Sequence, residues 1–265
     1  MTDDPLDLRL LAACAVAREA GRLALDYFRN RERLEIELKG PQDLVSRADR
    51  EVEELVRARL GAAFPGDAFL GEEGGGAGGG GADRLWVIDP IDGTTNFLRG
   101  MPYWSTVIGY MVEGRTEIGV TYDPVHDELF AARRGHGATR DGRPIRVSDR
   151  REPGEAAISL AYTFKLEREV YIRLVDGAMR HGFEHRRLGS TALMLCHVAD
   201  GRLDACATLY ANLWDVVAGL ILVREAGGVS SDFLDGAGPT EPNRILACTP
   251  ALRPILEELV GIKAA

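Results

Sequence analysis

Apolar residues recur at helical spacing along residues 6–29 (Leu8, Leu11, Ala15, Ala20, Leu23, Leu25 and Phe28), with polar residues between them, which predicts an amphipathic helix. The next stretch, RLEIELK (33–39), alternates and predicts a strand. Ser46 opens the capping-box-like S-R-A-D at the start of a second helix reaching about Ala63. After Pro65-Gly66 the run AFLGEE predicts a short strand, and LWVI (85–88) a buried one. WSTVIGYMV, RTEIGVTY and DELFAA follow as consecutive strands, with turns at Glu113-Gly114 and around Asp123-Pro124.

Near RDGRPIRVSDRREPG (140–154) the pattern changes. Beyond it the strands AAISLAY, LDACATL and RILAC alternate with helices over about 165–180, 190–200, 215–226 and 250–260. Helices with an antiparallel-rich sheet come first, then an α/β part with a mixed sheet, so two packed halves are expected, 1–145 and 146–265. A chain of 265 residues is at the upper edge of what one core supports, which agrees. No repeat of solenoid period is present. The glycine run 74–81 matches GxGxxG at Gly74, Gly76 and Gly79, but it precedes a strand and no Walker lysine follows. A mobile surface loop is expected there, not a phosphate cradle.

Composition narrows the partners. The net charge of −9, from 41 acidic and 32 basic side chains, speaks against nucleic acid or an anionic membrane as the main partner. An anionic small substrate stays open, because bound cations reverse the local sign. The four cysteines (Cys14, Cys196, Cys206, Cys248) form no CxxC pair and are expected to be reduced core residues. The acidic start MTDDPLDL lacks a signal-peptide profile and no apolar run reaches membrane-spanning length, so a cytoplasmic location is expected.

The chemistry begins where LWVI ends. Asp89 and Asp92 leave that strand as DPIDGTTNF. A capped turn accounts for Gly93 and either threonine. It accounts poorly for two carboxylates converging at a buried strand end, where repulsion and desolvation cost several kcal/mol. A divalent cation removes both difficulties, since hard ions prefer carboxylate and carbonyl oxygens. From this stretch alone the two readings stay close. Two further acids tip the balance: Gly71-Glu72-Glu73 ends the strand 68–70, and Trp214-Asp215 opens WDVVAGLILVREAGG, where Asp215 taken singly reads as a helix cap. Strand-end acids followed by a Gly-Thr helix start describe a metal-plus-phosphate site.

DPIDGTTNF, with the upstream GEE and the downstream WDxxAGxxxxxEAGG, resembles the inositol monophosphatase family of magnesium-dependent, lithium-sensitive phosphomonoesterases. The resemblance runs from K-x-x-x-D-L-V-S-x-A-D (39–49) to Gly227-Gly228, nearly the whole chain. It implies a five-layered αβαβα sandwich, two or three Mg²⁺ ions and a homodimer. It assigns Glu72, Asp89 and the Ile91 carbonyl to one ion, and Asp89, Asp92 and Asp215 to a second. The Gly93 and Thr94 amides would grip the phosphate, and Thr94 and Glu72 would orient a metal-activated water in line with the leaving alcohol. Asp49 would support Thr94 from behind, Gly189, Ser190 and Thr191 would contact substrate, and Lys39 is either near the site or an exposed strand-end lysine.

Elementary chemistry supports the same mechanism. Phosphate-ester hydrolysis needs an acidified nucleophile, a positioned phosphorus and cancelled charge on the leaving oxygen, and two metals supply all three. No histidine falls in the motifs: His126, His136, His181 and His185 are expected on the surface and His197 packed on a helix. Two positions depart from the family. Thr208 stands seven residues before Asp215, where members acting on inositol phosphates carry an acidic residue for the ring hydroxyls, and Val217 replaces a small residue. Inositol monophosphate is the first substrate expected. Histidinol phosphate is the alternative, ahead of 3′-phosphoadenosine 5′-phosphate or fructose 1,6-bisphosphate, for which Arg186 and Arg187 are candidate ligands. From another class, the chain would be a regulatory partner-binding protein with a secondary phosphatase site.

Overall fold

Alternation along one central strand decides how the layers stack. Leu85 and Val87 point into one apolar cluster, Trp86 and Ile88 into another, and all four are buried. A strand covered on both faces must sit in the middle of a sandwich.

The computed structural model describes residues 4–33, 36–40, 43–77, 83–236 and 238–264. In chain order the first elements are α1 (Pro5–Arg29), β1 (Ile36–Gly40), β2 (Asp43–Ser46), α2 (Arg47–Ala63), β3 (Ala68–Gly71) and β4 (Gly75–Ala77). Next come β5 (Arg84–Asp92), α3 (Thr94–Leu98), β6 (Ser105–Val112), β7 (Arg115–Asp123), β8 (Glu128–Arg133), β9 (Ala138–Arg140) and β10 (Arg143–Pro144). The remainder are β11 (Ala157–Leu160), α4 (Arg168–Arg180), β12 (Glu184–Arg186), α5 (Thr191–Ala199), β13 (Ala205–Ala211), α6 (Leu213–Glu225), β14 (Val229–Ser230), β15 (Asn243–Cys248) and α7 (Arg253–Val260).

One sheet runs β10-β9-β8-β7-β6-β5-β3-β4 and is antiparallel except for the parallel β3–β5 pair. The other runs β12-β11-β13-β15-β14, parallel across its first three strands and antiparallel beyond. α1 and α2 cover the outer face of the larger sheet, and α4 and α7 the outer face of the smaller. α5 and α6 lie between the sheets. The layers are therefore αβαβα, as expected. A helix packed on both sides cannot be amphipathic, which is why α6 buries nearly every residue from Leu213 to Val223.

Close approach in the middle layer depends on missing side chains. A Cβ on Gly109 would lie 2.6 Å from a Val217 methyl carbon, and one on Gly119 2.7 Å from the Ala218 backbone. Val217, the larger residue in the WDxA position, is accommodated by Gly109 and is buried. Asp4 caps α1: its carboxylate accepts the Leu6 amide at 2.9 Å, with Pro5 in the first turn.

Three local expectations need correction. β5 does not end at Ile88 but runs through both aspartates, with one extra residue between Asp89 and Asp92 relative to β6. Pro90, which has no amide proton for the ladder, sits in that bulge, and its carbonyl accepts the Thr106 hydroxyl at 2.9 Å. Gly75–Ala77 of the glycine run pairs with β3 as a strand, while residues 78–81 lie outside the described residues. α6 begins at Leu213, so Asp215 stands in its first turn and is not its cap. Among the described residues no helix is long and apolar enough to cross a membrane.

Candidate metal centre

The bulge in β5 turns Asp89 and Asp92 toward the start of α6. Oxygens of Asp89, Asp92 and Asp215 all lie within 4.8 Å of one another. Asp89 and Asp92 are buried and Asp215 is half-buried. The half-buried Glu72, in the turn after β3, joins them: its carboxyl lies close enough to Asp89 to hydrogen-bond it. Four acids from three distant segments thus converge.

Each acid is fastened by backbone. Asp89 accepts the Ile91 amide at 3.0 Å, and the Ile91 carbonyl accepts the Thr94 hydroxyl at 3.0 Å. Asp92 accepts the Ala192 amide at 2.8 Å, the Thr191 amide at 3.2 Å and the Ser190 hydroxyl, so it caps the N-terminus of α5 from another layer. Asp215 accepts the Asn212 amide at 2.7 Å, half of a capping box. The Glu72 amide donates to the Ile88 carbonyl at 3.3 Å, tying its turn to β5.

The electrostatics are those of acids confined together. Burial, reinforced by Glu72, Asp92 and Asp215, pushes Asp89 well above the ordinary carboxylate range. Burial raises Asp92 to about 6, against the pull of the Ser190 hydroxyl and the α5 amides. Burial and the Asp92 charge raise Asp215 to about 7, opposed by Asn212 and by Lys165. An all-oxygen, multiply anionic donor set of this kind suits a hard divalent cation, and binding one would relieve the repulsion.

Gly93 precedes α3 with φ +100°, and a Cβ there would lie 3.1 Å from the Tyr103 carbonyl and 3.2 Å from the Gly189 carbonyl. Only glycine fits that corner. Asp49 is buried in the first turn of α2, and β2 immediately before it packs beside α3, which carries Thr94. Gly189 is exposed with φ +87°, Ser190 is buried and Thr191 half-buried, all beside Asp92. Thr208 is buried and locally engaged: its hydroxyl donates to the Tyr210 carbonyl at 2.9 Å and accepts the Tyr210 amide at 3.2 Å. The Lys39 side chain lies outside the described residues.

The sequence did not single out Asn96, Asn212 or Glu53. Asn96 donates to the Tyr103 and Leu188 carbonyls, both at 2.8 Å, and so joins α3 to the loop before α5. Buried Glu53 accepts the Glu73 and Gly74 amides at 2.8 and 2.9 Å and fixes the turn that carries Glu72. Asn96 stands inside the motif and was findable; Glu53 looks like any helix glutamate. The histidines stay away from the acids: His126, His136 and His181 are exposed, and His185 is half-buried against Tyr171, not fully on the surface. His197 lies beside the Tyr103 hydroxyl, and burial lowers it to about 4. Burial raises the Cys206 and Cys248 thiols to about 12, which removes them as nucleophiles.

Comparison with known proteins agrees with this geometry. The model of the inositol monophosphatase family matches residues 6–262. A protein of Pasteurella multocida named Nus factor SuhB is 36% identical over 242 residues, 91% of each chain. The crystal structure of the extragenic suppressor protein suhB of Bartonella henselae superposes with a TM-score of 0.89 at 34% identity, over 96% of this chain and 98% of that one. An inositol monophosphatase from Anabaena (Nostoc) sp. PCC 7120 gives a TM-score of 0.84 at 33% identity, over 97% of each chain.

Proposed function

This chain belongs to the inositol monophosphatase family and is a phosphatase of that type, and on that premise we propose that it is a Mg²⁺-dependent phosphomonoesterase of small phosphorylated alcohols, with inositol monophosphate as the first substrate. The observation that carries this is the convergence of Asp89, Asp92 and Asp215 within 4.8 Å beside the Gly93–Thr94 corner. Histidinol phosphate is the alternative substrate.

In this reading Glu72, Asp89 and the Ile91 carbonyl hold one ion, and Asp89, Asp92 and Asp215 the other. Bound Mg²⁺ supplies acidification of the attacking water and charge cancellation on the leaving oxygen. The chain does the positioning. The Gly93 and Thr94 amides donate to phosphate oxygens, Thr94 and Glu72 orient the water in line with the leaving alcohol, and Asp49 holds Thr94 in place. Gly189, Ser190, Thr191 and Thr208 border the alcohol. Family resemblance adds a homodimer, which light scattering on the purified protein tests, and the cytoplasmic location expected from the sequence stands beside it as part of the proposal.

The deciding experiment is phosphate release from inositol 1-phosphate, histidinol phosphate, fructose 1,6-bisphosphate and 3′-phosphoadenosine 5′-phosphate, with and without Mg²⁺. Release that requires Mg²⁺ is expected from at least inositol 1-phosphate. No release from any of them overturns the proposal. The name Nus factor belongs to the Pasteurella relative and states no substrate; it keeps the partner-binding role as a second reading, which that null result would favour.

A further inference from the structure

The three parallel strands of the smaller sheet all end at one edge, and ligands of such sheets bind beyond the carboxyl ends of the strands. Past β12 the chain passes Arg187 on its way to Ser190 and the α5 amides that hold Asp92. Past β13 it reaches Asn212 and Asp215. Past β11 it delivers Tyr162, Phe164 and Lys165 to the same edge. This rim therefore adjoins the α5 start and Asp215.

Its chemistry is specific. The Lys165 ammonium stands 4.9 Å from the centre of the Tyr210 ring, and the Arg187 guanidinium 5.9 Å from that of Tyr162. Arg186 is paired with Glu184, whereas among the described residues neither Lys165 nor Arg187 forms an ion pair. Both are exposed, and Lys165 is near enough to act on the Asp215 charge. Phe164, 60% exposed, extends the aromatic surface through an edge contact with Tyr162. The hydroxyl of Thr208 explains how Tyr210 comes to lie under Lys165. It bonds both the amide and the carbonyl of Tyr210 inside a bulge of β13, and bulges re-aim side chains. Thr208 is thus a positioning residue, acting on the rim through Tyr210.

We propose that Lys165 on Tyr210 and Arg187 on Tyr162 form a subsite for a second anionic group on the leaving alcohol, so that the enzyme takes, beyond neutral polyol phosphates, alcohols carrying another phosphate or carboxylate. This rests on the phosphomonoesterase reading above. Two cations without carboxylate partners, held on rings past the ends of strands that lead on to the α5 start and to Asp215, can grip an anion that the acids themselves would repel.

The test is steady-state kinetics in Mg²⁺ with inositol 1-phosphate and fructose 1,6-bisphosphate, on the wild-type chain, Lys165→Gln, Arg187→Gln and the double variant. Each single variant is expected to raise KM for the bisphosphate about fivefold, the range of exposed ion pairs, with kcat little moved. KM for inositol 1-phosphate should move less than about twofold, and the bisphosphate effect should fade at high salt. Equal shifts for both substrates would mean the cations only offset the acids of the metal centre, and would overturn the subsite. Release from inositol 1-phosphate or histidinol phosphate with none from the bisphosphate overturns the subsite alone; release from none of the four phosphates named above overturns the phosphomonoesterase reading with it.

Discussion

Replacing Asp92 by asparagine separates its two parts, as a ligand and as a helix cap. In the metal-free protein the carboxyl titrates at about 6 instead of the ordinary 3.8. At about 1.4 kcal/mol per unit, ionising it in place costs the fold about 3 kcal/mol. The sign follows from the raised value: the contribution is intact below the unfolded pKa near 3.8 and is lost as pH rises through about 6. The asparagine escapes that loss but weakens the cap. An amide oxygen in the Oδ2 position keeps the Ser190 hydroxyl and the Ala192 amide, while the new NH₂ group meets the Thr191 amide that donated at 3.2 Å. One lost hydrogen bond costs about 1 kcal/mol.

The metal-free Asp92→Asn protein should therefore be more stable than the wild type by about 2 kcal/mol near pH 8, a Tm higher by about 5 °C for a chain of this size. The advantage should shrink below about 1 kcal/mol by pH 5, where the wild-type carboxyl is largely protonated. Thermal unfolding in chelator at the two pH values measures both. With Mg²⁺ the order should reverse, since only the wild type keeps the full ligand set, and turnover by the variant should fall at least about a hundredfold. A variant less stable than wild type at pH 8 without metal would show that Asp92 is a structural cap, and retained turnover would remove it from the metal centre.

Other outcomes follow from the same contacts. Mg²⁺ binding should release protons between about pH 5 and 7 and weaken as pH falls, because Asp92 near 6 and Asp215 near 7 must ionise to ligate; calorimetry in two buffers of different ionisation enthalpy reads the count, and pH-independent binding would contradict it. Ser190→Ala removes the hydroxyl that lowers Asp92, so the acid limb of the activity profile should move upward, whereas Ser190→Thr should leave it near the wild-type position. Gly109→Ala should destabilise by about 1–3 kcal/mol through its clash with Val217, and adding Val217→Ala should recover part of the loss. Additive losses in denaturant unfolding would disprove that contact.

The acids were legible in the sequence because each stands at an element boundary that hydrophobic periodicity marks: Glu72 after β3, Asp89 and Asp92 at the end of β5, Asp215 at the start of α6. What holds them was not. Asp92 is held from 98 to 100 residues away, two of its three donors being backbone amides, which have no signature in a sequence. Asn96 reaches a carbonyl 92 residues away. The exact end of β5 was missed for a related reason: an apolar run stops at Ile88, but strand pairing continues wherever a bulge lets β6 supply partners.

That division has a consequence for how the site is assembled. The larger sheet supplies Asp89 and Asp92, whereas Asp215 and the amides that tie Asp92 down belong to the helices of the middle layer. The acids can converge only after α5 and α6 have packed against β5, and that packing depends on Gly109, Gly119 and Gly219, where a Cβ would meet atoms at 2.4–2.7 Å. Convergence also raises the cost of ionising Asp92 and Asp215, so the metal-free interface between these layers carries electrostatic strain that a bound cation relieves. Metal binding and docking of the middle layer are then linked: a cation that favours the assembled centre tightens the packing, and a substitution that loosens the packing weakens the cation. Gly109→Ala, far from any ligand in sequence terms, should consequently lower Mg²⁺ affinity as well as stability, while a surface substitution of equal cost on α7, which packs on the opposite face of the smaller sheet, should lower stability alone.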